Sequence, residues 1–148
     1  MKDILIEFYK NKILMTTIWA WLIAQTIKVV IGIFRQKRFD FRWFIGSGGM
    51  PSSHAAGAAC LATSIGINCG FNSVYFALAF VFAIVVMFDA QGVRRSTGKQ
   101  ARILNKIMDD IYWQGKIQEI RLRELIGHTP VEVIMGLILG ITIALIAG

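Results

Sequence analysis

Residues that usually serve metal binding or catalysis are scarce in this sequence. It contains only two histidines and two cysteines among 148 residues. Cys60 and Cys69 are nine residues apart, within or beside one segment of small and apolar residues. That spacing matches neither a metal-binding cluster nor an expected disulfide, so we interpret both as small packing residues. No internal repeat and no low-complexity segment occurs, which excludes a repeat architecture.

Charged residues are few as well, and acidic ones are the scarcer kind. Charged residues make up 17% of the chain and hydrophobic residues 55%, with nine Asp and Glu against sixteen Lys and Arg. The mean hydropathy is positive. This composition lies outside the range of soluble domains and indicates an integral membrane protein. The length predicts one membrane-embedded domain over residues 1–148.

The apolar runs predict an all-α membrane bundle of about four transmembrane helices. They lie at residues 13–34, 55–69, 71–88 and 131–147. Residues 55–69 are rich in Ala, Gly, Ser and Thr, which favour close helix packing, so this helix is expected at the centre, shielded from lipid. Residues 96–127 are amphipathic and basic, and are expected to lie along the membrane surface.

Basic residues are distributed unequally between the two predicted sides of the membrane. Twelve Lys and Arg fall on the side of residues 35–50 and 91–127, and three fall on the other. The positive-inside rule places the richer side in the cytoplasm and both termini outside, in a multi-pass protein of the cell (inner) membrane. Because these charges flank apolar spans, we expect anionic lipid of the bilayer as their partner, and no nucleic acid.

The first histidine follows a glycine-rich turn at residues 46–54, with the sequence GSGGMPSSH. Glycines permit close backbone approach to a ligand, and Pro51 is expected to set the first turn of a helix. A helix that begins near Ser52 would direct the amides of Ser52, Ser53 and His54 outward. These donors and the helix dipole predict an anion site. A glycine turn with a serine N-cap is the structural alternative.

Two groups of cations accompany this motif. Lys28 and Arg35 are seven residues apart, which places them on one helix face. They either reach one phosphate together or, in the case of Lys28, extend to the membrane interface. Arg94 and Arg95 follow Asp89 at the end of an apolar run. An ion pair with Asp89 would position their guanidinium groups for phosphate, or else these residues anchor the helix end.

The second histidine lies in the segment GHTPVE at residues 127–132, for which two interpretations stay open. Thr129 as N-cap, with Pro130 and Glu132 after it, forms a capping box. A helix that includes His128 would instead place Glu132 four residues later on the same face. The carboxylate would then orient the imidazole and stabilise its charged form.

These motifs together resemble the three-part signature of the type 2 phosphatidic acid phosphatase and vanadium haloperoxidase superfamily. More closely, the chain resembles the small divergent branch of that superfamily, through GMPSSHA at 49–55, DAQGVRR at 89–95 and GHTP at 127–130. The similarity extends from Lys28 to about Gly140. It implies a metal-independent lipid phosphatase that needs no cofactor.

The resemblance also implies roles for individual residues. His128 would be the nucleophile that takes the phosphoryl group, Glu132 would orient it, and His54 would protonate the leaving alkoxide. The remaining site residues would hold the phosphate oxygens, namely Lys28, Arg35, Ser52, Ser53 and one of Arg94, Arg95 and Arg123. The implied substrate is a phosphorylated membrane lipid, with phosphatidylglycerophosphate favoured over phosphatidic acid or a polyprenyl phosphate or pyrophosphate. The alternative function is non-catalytic lipid-phosphate binding or transport.

The chain departs from the superfamily pattern at several positions. Gln36 replaces a proline, Ser53 a glycine and Glu132 an aspartate, and the spacing from Arg123 to His128 is one residue short. Arg94 or Arg95 can therefore stand in for Arg123. The wider superfamily has six spans and this chain about four, so a homodimer is expected to complete the bundle.

Overall fold

All regular structure that the computed structural model describes is helical. The described residues are 2–37, 49–112 and 127–148. In chain order the helices are α1 Lys2–Lys10, α2 Lys12–Gln36, α3 Ser53–Cys69, α4 Val74–Phe88, α5 Arg94–Tyr112 and α6 Pro130–Ala147. A short π-helical turn, Asp89–Val93, joins α4 to α5. The predicted all-α membrane bundle is confirmed.

Three stretches among the described helices are long and apolar enough to cross a membrane. They are Lys12–Phe34, Val74–Gly92 and Pro130–Ala147. The fourth helix of the bundle, α3, has 17 residues and packs against α2, α4 and α6. More than half of its residues are buried. Its central position agrees with the expectation drawn from its small residues.

Local sequence determines where each helix of the bundle begins. The side chains of Asn11, Ser52, Ser73 and Thr129 each accept a hydrogen bond from a backbone amide in the first turn that follows. These N-caps satisfy amides that the helix itself leaves without an acceptor. Pro51 does not start α3 as expected, because Ser52 is the N-cap and Ser53 is the first helical residue.

Glycine and alanine form the interface between α3 and α6. A Cβ atom at Gly136 would meet the backbone carbonyl of Ser52, and one at Gly140 would meet the carbonyl of Ala56. Ala144, one turn later, packs against Cys60 in the core. The spacing of four residues keeps these small residues on one face of α6, so the two helix backbones come into direct contact.

The amphipathic helices lie outside this core. The first, α1, is formed by the mixed-charge segment Lys2–Lys10. The second, α5, covers the first half of the predicted surface segment and exposes Ile103, Leu104 and Ile107. The second half, residues 113–126, lies outside the described part of the chain.

Candidate active site

Two backbone hydrogen bonds bring the segments that contain the two histidines together at one end of the bundle. The Ser52 amide donates to the carbonyl of Glu132 at 2.9 Å, which ties the start of α3 to the start of α6. The His128 amide donates to the carbonyl of Ala90 at 3.0 Å, in the π-helical turn. Three segments that are distant in the sequence therefore form one site.

His128 is fully buried and contacts the carboxylate of Glu132. Its Nδ1 atom lies 3.3 Å from Glu132 Oε2, and the same oxygen accepts a hydrogen bond from the Thr129 amide at 2.9 Å. The capping box is complete, and α6 begins at Pro130, so His128 precedes the helix. The two interpretations of Glu132 are thus compatible, because one carboxylate oxygen makes both contacts.

His54 lies in the first turn of α3 and faces His128. The centroids of the two imidazole rings are 6.0 Å apart, and the ring planes are inclined by 61°. Nδ1 of His54 and Nε2 of His128 are both buried. Two imidazoles at this separation can contact one small group from different sides.

Lys28 is buried although it carries a charge. Its side chain is 6% exposed, and Nζ donates a hydrogen bond to Gln25 Oε1 at 2.8 Å. The stem of Lys28 packs on the glycine turn before α3, where a Cβ at Gly49 would lie 3.0 Å from Lys28 Cγ. Lys28 therefore points into the bundle. A lysine that extended to the membrane interface would point outward instead.

The serines before His54 differ in what they can offer an anion. Ser52 caps α3, because its hydroxyl accepts from the Ala55 amide at 3.3 Å, and its own amide is used by Glu132. The expectation of three outward amides is therefore corrected at Ser52. Ser53 is the first helical residue and is 2% exposed. The amides of Ser53 and His54 lie in the first turn, where a helix presents donors to an anion.

The arginines assigned to phosphate binding are only partly located. Arg35 lies on α2 two turns after Lys28, and Arg94 and Arg95 begin α5. Their side chains, and with them the suggested pairing with Asp89, lie outside the part of the structure that is described. Arg123 falls within residues 113–126, which are not described either. Within the described ranges, no three His, Cys, Asp or Glu side chains are grouped as metal ligands.

The sequence interpretation did not assign Gln25 and the Ala90 carbonyl to the site. Gln25 is buried at 5% exposure and bonds Lys28. The sequence did carry a sign of this role, since Gln25 is the one amide in its apolar run and lies three residues before Lys28, the one charged residue of that run. Ala90 contributes through its backbone carbonyl, so no pattern of side chains in the sequence could have predicted this contact.

Comparison with known proteins agrees with this arrangement of motifs. The model of a family described as the divergent PAP2 family matches residues 9–143. The chain belongs to the divergent PAP2 family. It is 36% identical over 151 residues to "Uncharacterized membrane protein YuiD" of Bacillus subtilis (strain 168), with 95% of this chain and 96% of that protein covered. No solved structure gives a significant match.

Membership in the divergent PAP2 family confirms the resemblance that the motifs suggested. The chain is a multi-pass membrane protein of this PAP2-related branch. In this member, the described motif residues His54, His128 and Glu132 meet at one end of the bundle, and Lys28 packs on the glycine turn before α3. Family membership suggests a relationship to phosphatases, and leaves the individual roles of these residues as predictions.

Proposed function

We propose that the protein is a phosphatase of phosphorylated membrane lipids that works through a phosphohistidine at His128, without a metal cofactor. The observation that carries the proposal is the arrangement of the two imidazoles. His128 is buried and contacts a carboxylate through Nδ1, and its ring lies 6.0 Å from that of His54. Buried polar groups inside a membrane bundle are costly, which favours a functional role for them.

The contact with Glu132 prepares His128 as a nucleophile. With the Nδ1 proton directed to the carboxylate, Nε2 carries the lone pair that attacks phosphorus. The negative charge of Glu132 stabilises the positive charge that the ring gains as the bond forms. Lys28 and the first-turn amides of Ser53 and His54 supply positive potential for the phosphate oxygens. Arg35, Arg94, Arg95 and Arg123 are proposed to contribute further to this phosphate site.

The reaction then takes two steps. In the first, Nε2 of His128 forms a bond to phosphorus, the bond from phosphorus to the lipid oxygen breaks, and His54 gives a proton to the leaving alkoxide. In the second, His54 takes a proton from water, whose oxygen attacks phosphorus and releases His128 and inorganic phosphate. Attack distances of about 3–3.5 Å and a hydrogen bond of about 2.6–3.2 Å suit two rings at this separation.

Release of phosphate from lipids offered to the purified protein in detergent tests the proposal. Phosphatidylglycerophosphate is the expected substrate, with phosphatidic acid and polyprenyl phosphates or pyrophosphates as the comparison set. We expect phosphate release from at least one phosphomonoester. Binding of these lipids without any phosphate release would instead support non-catalytic binding or transport and contradict the enzymatic proposal.

Substitution of the histidines separates their roles. His128→Ala should abolish turnover, and His54→Ala should slow it by roughly a hundred- to ten-thousand-fold, as for a lost general acid. A lipid analogue with a better leaving group should partly restore His54→Ala and leave His128→Ala inactive. Mass spectrometry after an alkaline quench should find phosphate on His128, because acid destroys phosphohistidine. Phosphate on His54, or robust turnover by His128→Ala, would contradict the assignment.

A further inference from the structure

Gln25 is a buried amide in the middle of a membrane-spanning helix. The span that contains it, Lys12–Phe34, has 23 residues, and the Gln25 side chain is 5% exposed. Thr26 is exposed on the outer face of α2, and its hydroxyl donates to the Leu22 carbonyl of the same helix. Polar groups are costly at this depth unless another group satisfies them. The inward position of Gln25 therefore calls for a specific partner.

That partner is the Lys28 ammonium. Gln25 Oε1 accepts a hydrogen bond from Nζ at 2.8 Å, between two side chains that are both buried. Residues three apart lie on one face of a helix, so this contact requires no distortion of α2. On its other side, the stem of Lys28 packs on Gly49, where the backbone has φ of +89°. The hydrogen bond thus holds the ammonium, and the packing on Gly49 holds the stem.

A fixed ammonium differs in its binding properties from a mobile one. A lysine side chain has much rotamer freedom, and ordering it on ligand binding costs free energy. The hydrogen bond to Gln25 meets part of that cost before a ligand arrives. An ammonium has three protons, so a bond to Gln25 leaves two that can be donated to phosphate oxygens.

We propose that Gln25 is a positioning residue that holds Lys28 ready for the phosphate group of the substrate. The inference rests on the proposed function for the identity of the substrate. The role of Gln25 can be tested by measuring phosphate binding alone, without any turnover. Gln25 itself does not touch the substrate and acts through Lys28.

The experiment compares Gln25→Met with Thr26→Val in the purified full-length protein. Orthophosphate is titrated while the unfolding temperature is followed, since a ligand that binds the folded state raises it. Gln25→Met should weaken phosphate binding on the order of tenfold, because the lysine side chain must then be ordered when phosphate binds. The unfolding temperature without phosphate should fall, because the substitution leaves the buried Lys28 ammonium without its acceptor, so the phosphate-induced rise of each variant is compared with its own phosphate-free value. Thr26→Val should bind phosphate as the unmodified protein does.

A double-mutant comparison shows whether Gln25 acts through Lys28. If it does, Gln25→Met should weaken phosphate binding no further once Lys28→Met is present. Equal losses in both backgrounds would overturn the proposal, as would unchanged phosphate affinity in Gln25→Met. If Gln25→Met does not fold, Gln25→Leu provides the same test. Leucine also lacks the acceptor and adds no charge, so phosphate binding should again weaken.

The two proposals fail in different ways. A protein that binds orthophosphate but releases none from lipids would contradict the phosphatase and leave the role of Gln25 to the binding data. A protein that binds no orthophosphate, while it hydrolyses lipid phosphates at a rate that Gln25→Met leaves unchanged, would overturn only the role of Gln25. Where turnover is measurable, Gln25→Met should raise KM more than it lowers kcat. The reason is that the substitution weakens phosphate binding equally in the enzyme–substrate complex and in the transition state.

Discussion

A single oxygen of Glu132 performs two tasks at the scale of the residue. Oε2 accepts from the Thr129 amide at 2.9 Å and lies 3.3 Å from Nδ1 of His128. The first contact caps α6, and the second is proposed to orient the imidazole. Because the helix cap needs an acceptor and the imidazole benefits from a negative charge, a substitution that removes only the charge separates the two tasks.

Glu132→Gln should reduce turnover by roughly ten- to a hundred-fold and change stability little. Glutamine completes a capping box as glutamate does, so the N-terminus of α6 stays satisfied. It lacks the charge that stabilises the imidazolium, and a hydrogen bond between charged groups contributes about 1.5–3 kcal/mol. Phosphate release and thermal unfolding of the purified variant measure the two effects.

Thr129→Ala is the matched control for this substitution. It removes the capping hydroxyl, which accepts from the Glu132 amide, and keeps the carboxylate. We expect it to lower stability by about 1 kcal/mol and to retain most of the turnover of the folded protein. Full activity in Glu132→Gln would show that Glu132 serves only as a helix cap.

At the scale of the element, the backbone contact between α3 and α6 aligns the two histidine motifs. Gly136 and Gly140 face the carbonyls of Ser52 and Ala56, which leaves no space for larger side chains. The contact lies beside the N-terminal ends of both helices, where His54 and His128 are found. Loss of this close approach would separate the imidazoles as well as weaken the bundle.

Gly140→Ala should destabilise the protein by about 1–3 kcal/mol, the usual cost of overpacking a well-packed interface. Gly57→Ala is the matched control, since a Cβ at that position would meet only the Trp21 Cβ at an ordinary 3.9 Å. Alanine is the better helix former, so Gly57→Ala should be neutral or slightly stabilising. Thermal unfolding in detergent compares the two, and equal stability would contradict direct backbone packing at Gly140.

At the scale of the whole molecule, the structure separates the candidate site from Cys69 along the length of α3. A helix of 17 residues is about 25 Å long, close to the thickness of the bilayer core. His54 lies at one end and Cys69 at the other, where it is exposed, while Cys60 is buried. The proposed cytoplasmic site therefore places Cys69 on the outer face.

A membrane-impermeant thiol reagent should label Cys69 in intact cells. Cys69→Ser should remove this labelling, because Cys60 is buried. In that background, a cysteine introduced at the exposed Gln100 of α5 should react only after the membrane is permeabilised. This prediction follows from twelve Lys and Arg on the site's side against three on the other. The reverse labelling pattern would invert the proposed topology.

Phosphate release should persist in EDTA. The nucleophile, the cations and the first-turn amides already provide the charge stabilisation that phosphoryl transfer requires. The measurement compares turnover before and after chelation, with Mg²⁺ added back. Activity that EDTA abolishes and Mg²⁺ restores would contradict this prediction and direct attention to Asp89, Asp109 and Asp110.

Much of the fold was predictable because the membrane imposes simple requirements on a sequence. A transmembrane span needs a long apolar run, and the runs of α2, α4 and α6 are long enough to be recognised in the sequence as spans. The central helix was recognisable from its small residues. The boundaries were less certain, as Pro51 shows, because the position of a helix start depends on which neighbouring groups satisfy its first amides.

The sequence by itself determined the membrane bundle, the family and the two histidine motifs. Only the tertiary structure decided that one oxygen of Glu132 both caps a helix and contacts His128, and that Ser52 gives its amide to α6. It also decided that Gln25 holds Lys28. The physical reason is that apolar runs and motifs are local properties of a chain. Which donor meets which acceptor depends on how closely the helices pack, and here glycines on α6 decide it.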